Sequence, residues 1–150
     1  MPTTGASGSG SIAAPSYATM PSKLEIGRRY QSQTRVEEWM TAAKAGNRGV
    51  DVLSTPMLLQ LIEEAAVQCL APVLASDDVS LGAYVDLTHL APTPVGFIVR
   101  MEVEVISIDG PRIDFAVAAF DEREKIAEGT HERYMMHRPA FLSMLDAKTE

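Results

Sequence analysis

Residues 54–75 read STPMLLQLIEEAAVQCLAPVLA, the one stretch long and apolar enough to form a central buried helix around which the rest of the chain wraps. Ser54 or Thr55 can cap its start. Pro56 follows at the first helical position, where a missing N–H costs nothing. Met57, Leu58, Leu59, Leu61, Ile62, Ala65, Ala66, Val67, Cys69, Leu70, Val73 and Leu74 cover most of the circumference, and Gln60, Glu64 and Gln68 form a polar stripe at i, i+4, i+8. Glu63 falls outside that stripe. At about 100° per residue it sits roughly 60° from Gln60, on the side away from Gln68 and bordered by Leu59, Ile62, Ala66 and Val67. A carboxylate there is either a rim residue reaching water or a placed functional group.

The 150 residues suit one domain, and a 46% hydrophobic content is enough for a packed core. The single cysteine, Cys69, excludes an internal disulfide and favours a reducing cytoplasm. No apolar run approaches the ~20 residues that cross a bilayer, so no membrane span is expected. A net charge of −7 with scattered Lys and Arg argues against nucleic acid as a partner. Residues 1–22, rich in Gly, Ser, Thr, Ala and Pro and free of charged side chains, predict a disordered tail, leaving 23–150 as the folded domain.

Arg28–Val36 (RRYQSQTRV) predicts a first strand, polar enough for an edge. In Glu37–Val52, Trp39, Met40, Ala42, Ala43 and Ala45 are compatible with a short helix ended by Gly46-Asn47. Four strand-like runs follow the central helix: Ser80–Leu90, Gly96–Ile108, Arg112–Asp121 and Lys125–Met136. Asp109-Gly110 signals a tight hairpin, and Asp121-Glu122-Arg123 a second turn. Arg138–Glu150 suggests a short final helix. The layout is α+β, one antiparallel curved sheet around one long helix.

In Gly82–Leu90, alternation puts Ala83, Val85, Leu87 and His89 on the apolar face and Tyr84, Asp86 and Thr88 on the other. His89 therefore ends a strand on the face expected to meet the helix that carries Glu63, either as a satisfied core histidine or as a placed base. His131 and His137 lack the spacing and partner ligands of a metal site. Cys69 has no flanking base and reads as a structural thiol.

Ser54-Thr55-Pro56 opening a helix that contains Glu63, then Ser80-Leu81-Gly82 and Asp86-Leu87-Thr88-His89, then Gly129-Thr130-His131-Glu132-Arg133 with His137 beyond, resembles the fluoroacetyl-CoA thioesterase group of hotdog-fold proteins. The likeness runs from about Leu53 to His137. Its spacings are 8 positions from Thr55 to Glu63, 26 from Glu63 to His89 and 44 from His89 to Arg133. The resemblance implies a hotdog fold, a homodimer and hydrolysis of an acyl-CoA thioester, with CoA as part of the substrate and neither metal nor redox cofactor. It marks Thr55, Glu63 and His89 as catalytic and Gly82 and Arg133 as substrate-binding. It has no counterpart upstream, where the family's lid segment is not matched in Glu37–Val52.

Thioester hydrolysis needs a base or nucleophile, a proton for the departing thiolate and donors for the oxyanion. Glu63 would attack or deprotonate water, His89 would move the proton, and Thr55 would orient the carboxylate or the substrate. Gly82 either lets its backbone N–H approach the carbonyl or simply marks a strand bulge. Arg133 either anchors a CoA phosphate or holds an acidic partner such as Glu132 of another strand. Two other classes remain open: a non-hydrolytic acyl-CoA or acyl-carrier binding module, and a hotdog hydratase or dehydratase, which would want an Asp/His pair.

Overall fold

The computed structural model describes residues 24–150, so the expected tail, Met1–Ser22, lies outside the described residues. Five strands, β1 (Arg29–Arg35), β2 (Asp78–His89), β3 (Ile98–Asp109), β4 (Arg112–Phe120) and β5 (Lys125–His137), form one antiparallel sheet in the order β1-β3-β4-β5-β2. The helix α1 (Thr55–Leu70) packs across one face. Sheet and helix thus meet as the hydrophobic pattern requires: Val99, Met101, Val103 and Val105 of β3 and Ile113, Phe115, Val117 and Ala119 of β4 are buried against Leu58, Ile62, Ala65, Ala66 and Cys69 of α1. Ile62 is fully buried, and truncating such a side chain to alanine costs about 2–5 kcal/mol.

The helix starts at Thr55, one residue before the Pro56 that the sequence placed at its first position. Ser54 is the cap, its Oγ accepting from the Met57 N–H at 3.2 Å, so Thr55 is the first helical residue and Pro56 the second. It also ends earlier than Ala75. Pro72 cannot donate to the helical ladder, and the chain tightens into a 3-10 turn over Ala71–Val73. Arg28 Nε donates to the Cys69 carbonyl at 2.7 Å, satisfying a helix-end acceptor with a cation at the negative pole.

The polar stripe is confirmed: Gln60, Glu64 and Gln68 are exposed, and Gln60 Nε2 donates to Glu64 Oε2 at 3.0 Å. Both predicted turns form, Asp109 pairing with Arg112 across the first, and Asp121 Oδ1 accepting from the Arg123 and Glu124 N–H groups in the second.

The segment before α1 is not the short helix that its alanines suggested. Only Glu38–Met40 makes a 3-10 turn. The chain then folds back on itself, the Ala42 N–H donating to Val52 O at 2.7 Å and the Ala43 N–H to Val50 O at 2.8 Å. Gly46 and Gly49, at φ 114° and 79°, make the reversals that a helix could not accommodate. Met40 and Leu53 anchor this loop in the core, and it lies over the start of α1.

The final helix, α2 (Arg138–Lys148), is present and buries none of its residues. Strand β2 is an edge: among the described residues it pairs with β5 along one side only, and its full length of 12 residues is otherwise unpaired there.

Candidate active site

The five residues singled out from the sequence fall into two groups rather than one. Thr55, at the N-terminus of α1, and His89, at the C-terminus of β2, face each other with Oγ1 and Nδ1 2.7 Å apart. They lie at one wall of a cavity of about 490 Å³, whose other walls include Ala42, Ala45, Asn47 and Val52 of the folded-back loop and Leu90 and Ala91 after β2. That loop supplies half of the apolar lining. Burial lowers the His89 pKa below its ordinary value, so the imidazole is neutral at pH 7. Its Nε2 is buried with no hydrogen-bond partner among the described residues. The positive pole of a 16-residue helix ends at Thr55, which adds electrostatic support for negative charge there.

Glu63 lies eight residues further along α1, about 12 Å along the axis at ~1.5 Å per residue. Its Oε2 accepts from Arg133 Nη1 at 3.3 Å. Gly82 is pressed against the same carboxylate: a Cβ there would overlap Glu63 Oε2 and lie 3.2 Å from Arg133 Nη1. The bulge reading of this glycine fits, since β2 shifts register between Gly82 and Tyr84, leaving Ala83 as an unpaired bulge residue.

Arg133 lies on the inner face of β5, its side chain only 5% exposed. Its Nε donates to Ser80 Oγ at 3.0 Å and its Nη2 to the Ser80 carbonyl at 2.8 Å. Its acidic partner is Glu63, not Glu132. Burial opposes its charge and Glu63 restores it. His131, fully buried beside it, brings its Nε2 to 3.1 Å from Arg133 Nη1.

Ser80 and His131 were given no role by the sequence argument, although the signal was present. Period-two alternation from Ala127 puts Gly129, His131, Arg133 and Met135 on one face of β5, and buried Met135 makes it the core face. Polar side chains aimed into a core need partners. A larger concavity, about 890 Å³, opens on the sheet near Arg29, Asp86, Glu102 and Lys125, and none of the five candidates lines it.

Comparison with known proteins identifies the family and the fold. The model of the family described as fluoroacetyl-CoA-specific thioesterase matches residues 36–139, a span that takes in Glu37–Val52, the segment the sequence resemblance had left unmatched. The fluoroacetyl-CoA thioesterase of Streptantibioticus cattleyicolor is 36% identical over 99 residues, covering 66% of this chain and 71% of that protein. A mutant of the fluoroacetyl-CoA-specific thioesterase FlK, solved in complex with fluoroacetate and CoA, superposes with a TM-score of 0.75 at 31% identity, covering 79% of this chain and 99% of that one. A hot-dog-like protein from Thermanaerovibrio acidaminovorans shares the fold alone, with a TM-score of 0.80 at 22% identity over 85% of this chain and 94% of its own.

Proposed function

We propose, from the premise that this chain belongs to the fluoroacetyl-CoA-specific thioesterase family of hotdog proteins, that it hydrolyses acyl-CoA thioesters bearing a small or medium uncharged acyl group, as a homodimer, through Thr55, Glu63 and His89. The chain is a thioester hydrolase. The observation that carries the proposed chemistry is the Thr55 Oγ1 to His89 Nδ1 hydrogen bond at the head of α1, inside a cavity lined, among the described residues, by no Asp, Glu, Lys or Arg. About 490 Å³ suits an acyl group and the start of a pantetheine arm. The aliphatic walls, half of them supplied by the loop between Met40 and Leu53, favour an acyl chain without a carboxylate.

The thioester carbonyl oxygen would meet the Thr55 hydroxyl and the positive end of α1, which stabilise the charge that develops there. Either a water that gives a proton to Glu63 adds to the carbonyl carbon, or the Glu63 carboxylate itself adds and water afterwards cleaves the acyl–Glu63 anhydride left by loss of the thiolate. The carbon–sulfur bond then breaks, and the thiolate takes a proton relayed by His89. CoA enters as part of the substrate, and the scheme invokes no metal or redox cofactor. Buried Cys69, whose thiol pKa is raised by that burial, takes no part and accords with a reducing cytoplasm.

One chain cannot bring Glu63 to His89. The unpaired edge of β2 offers the remedy, since Gly82 and His89 lie on that one strand, with Tyr84 exposed between them. Two copies of β2 paired antiparallel about an axis between Val85 and Asp86 would set Gly82, and the Glu63 against it, opposite His89 of the other copy. An edge strand of this length is otherwise an aggregation hazard.

The test is complementation. Glu63→Gln and His89→Ala homodimers should each be nearly inactive on a panel of acyl-CoAs. After mixing and subunit exchange, half the dimers are mixed and one of their two sites is intact, so about one quarter of wild-type thiol release should return. No recovery despite demonstrated exchange, or a monomeric mass by light scattering, would refute the composite site. Silence of the wild type across all acyl-CoAs would instead favour a binding module.

A further inference from the structure

We infer that His131 is a positioning residue that sets the Glu63 carboxylate through Arg133, an inference that rests on the role given to Glu63 above. The argument begins with the tautomer. His131 Nδ1 lies 2.9 Å from the Tyr84 carbonyl oxygen, which can only accept, so Nδ1 carries the proton. Nε2 then bears a lone pair, and the Arg133 Nη1 at 3.1 Å donates to it. Burial depresses the His131 pKa, in keeping with this neutral form.

Arg133 is thereby held on three sides: Nε by Ser80 Oγ, Nη2 by Ser80 O and Nη1 by His131. Its remaining contact is the carboxylate of Glu63. With the guanidinium clamped from behind, the position of Glu63 Oε2 is dictated by groups anchored in β2 and β5 rather than by the three rotatable bonds of its own side chain.

His131 acts at a second point. Tyr84, whose carbonyl it grips, is the residue immediately after the Ala83 bulge, and Gly82, immediately before it, forms the recess that receives the carboxylate. One imidazole therefore ties together the cation that holds Glu63 and the backbone that makes room for it. Such a residue is costly in a core unless both nitrogens are satisfied, and here both are. Phe115 packs beside the ring with centroids 6.2 Å apart, which fixes its plane.

The two amide variants separate this role from simple core stability. In His131→Gln the Oε1 reaches the former Nε2 position and can still accept from Arg133. In His131→Asn the Nδ2 keeps the Tyr84 bond and the Arg133 acceptor is lost. Both should lower the melting temperature. His131→Asn should lower kcat at least about tenfold with KM within about threefold, and His131→Gln should recover most of that loss, because a misplaced group costs turnover before it costs binding. Should His131→Asn fail to fold, Ser80→Ala, which removes one tether of Arg133, should lower kcat severalfold with KM held.

Equal kcat in both amide variants and wild type, measured well below each melting temperature, overturns the inference, as does a kcat loss in His131→Gln as large as in His131→Asn. Glu63→Gln distinguishes the two levels of argument. If it is inactive while His131→Asn and Ser80→Ala turn over normally, only the positioning role fails. If Glu63→Gln turns over normally, the role of Glu63 fails and the positioning inference falls with it.

Discussion

Gly82→Ala is the sharpest single perturbation this site offers, because it adds one methyl group where the carboxylate of Glu63, proposed to act in hydrolysis, rests. The φ of Gly82 is not in the left-handed range, so alanine meets no backbone penalty there, and the whole effect is steric. The new Cβ would overlap Glu63 Oε2, the far end of a flexible side chain, which yields by changing rotamer. Restoring van der Waals distance moves the oxygen by more than about 1 Å, which breaks its 3.3 Å contact with Arg133. A displacement of about 1 Å at a reacting group costs on the order of 10²-fold in turnover. The stability cost is smaller. Glu63 is 43% exposed and the pair is partly screened, while Arg133 keeps Ser80 and His131, so about 1 kcal/mol is expected, or roughly 4 °C in Tm. Thiol release from the best acyl-CoA substrate, read beside a thermal melt, separates the two effects. A folded Gly82→Ala enzyme with wild-type kcat would refute the contact, and with it the claim that this recess positions Glu63.

Four further outcomes follow. Glu63→Gln should lower kcat by roughly 10²-fold or more, and because it leaves buried Arg133 without its counter-charge it should also cost about 1 kcal/mol in a denaturant melt. Glu64→Gln, on the exposed stripe, should change stability by less than about 0.5 kcal/mol and leave kcat intact; reversed behaviour of the two variants would overturn the assignment of the helix face. Because burial holds the His89 pKa down, the acid limb of kcat/KM should lie below about pH 6.5, and a limb above neutrality would show that His89 is not the group that must be unprotonated. For His131 the folded pKa is also depressed, so its contribution to stability is present above the unfolded value and lost as pH falls. Between about pH 7 and about pH 5 the wild type should lose more Tm than His131→Gln does, and parallel curves would contradict this.

The fold was legible because it rests on two periodicities that need no tertiary information. The apolar circumference of residues 57–70 demanded burial, and the alternation through β3 demanded a sheet to supply it. The loop between Met40 and Leu53 was misread for the converse reason: Ala42, Ala43 and Ala45 have helix propensity, but bonds from Ala42 to Val52 and from Ala43 to Val50, with Gly46 and Gly49 at the reversals, outweigh it.

The site was half legible. Position on the helix and strand singled out Glu63 and His89, and the family resemblance added Thr55, whereas the clamp behind Glu63 depends on which side chains of β5 share the core face with residues of β2, a fact of pairing that only the register supplies. One further constraint was available in the sequence from the start. Eight positions on a helix separate Thr55 from Glu63 by about 12 Å and more than two turns. A hydroxyl that bonds His89 at 2.7 Å therefore cannot also orient the carboxylate of its own chain. If all three residues act on one carbonyl, the spacing alone already requires a second copy, and the open edge of β2, carrying both Gly82 and His89, is where that copy would join.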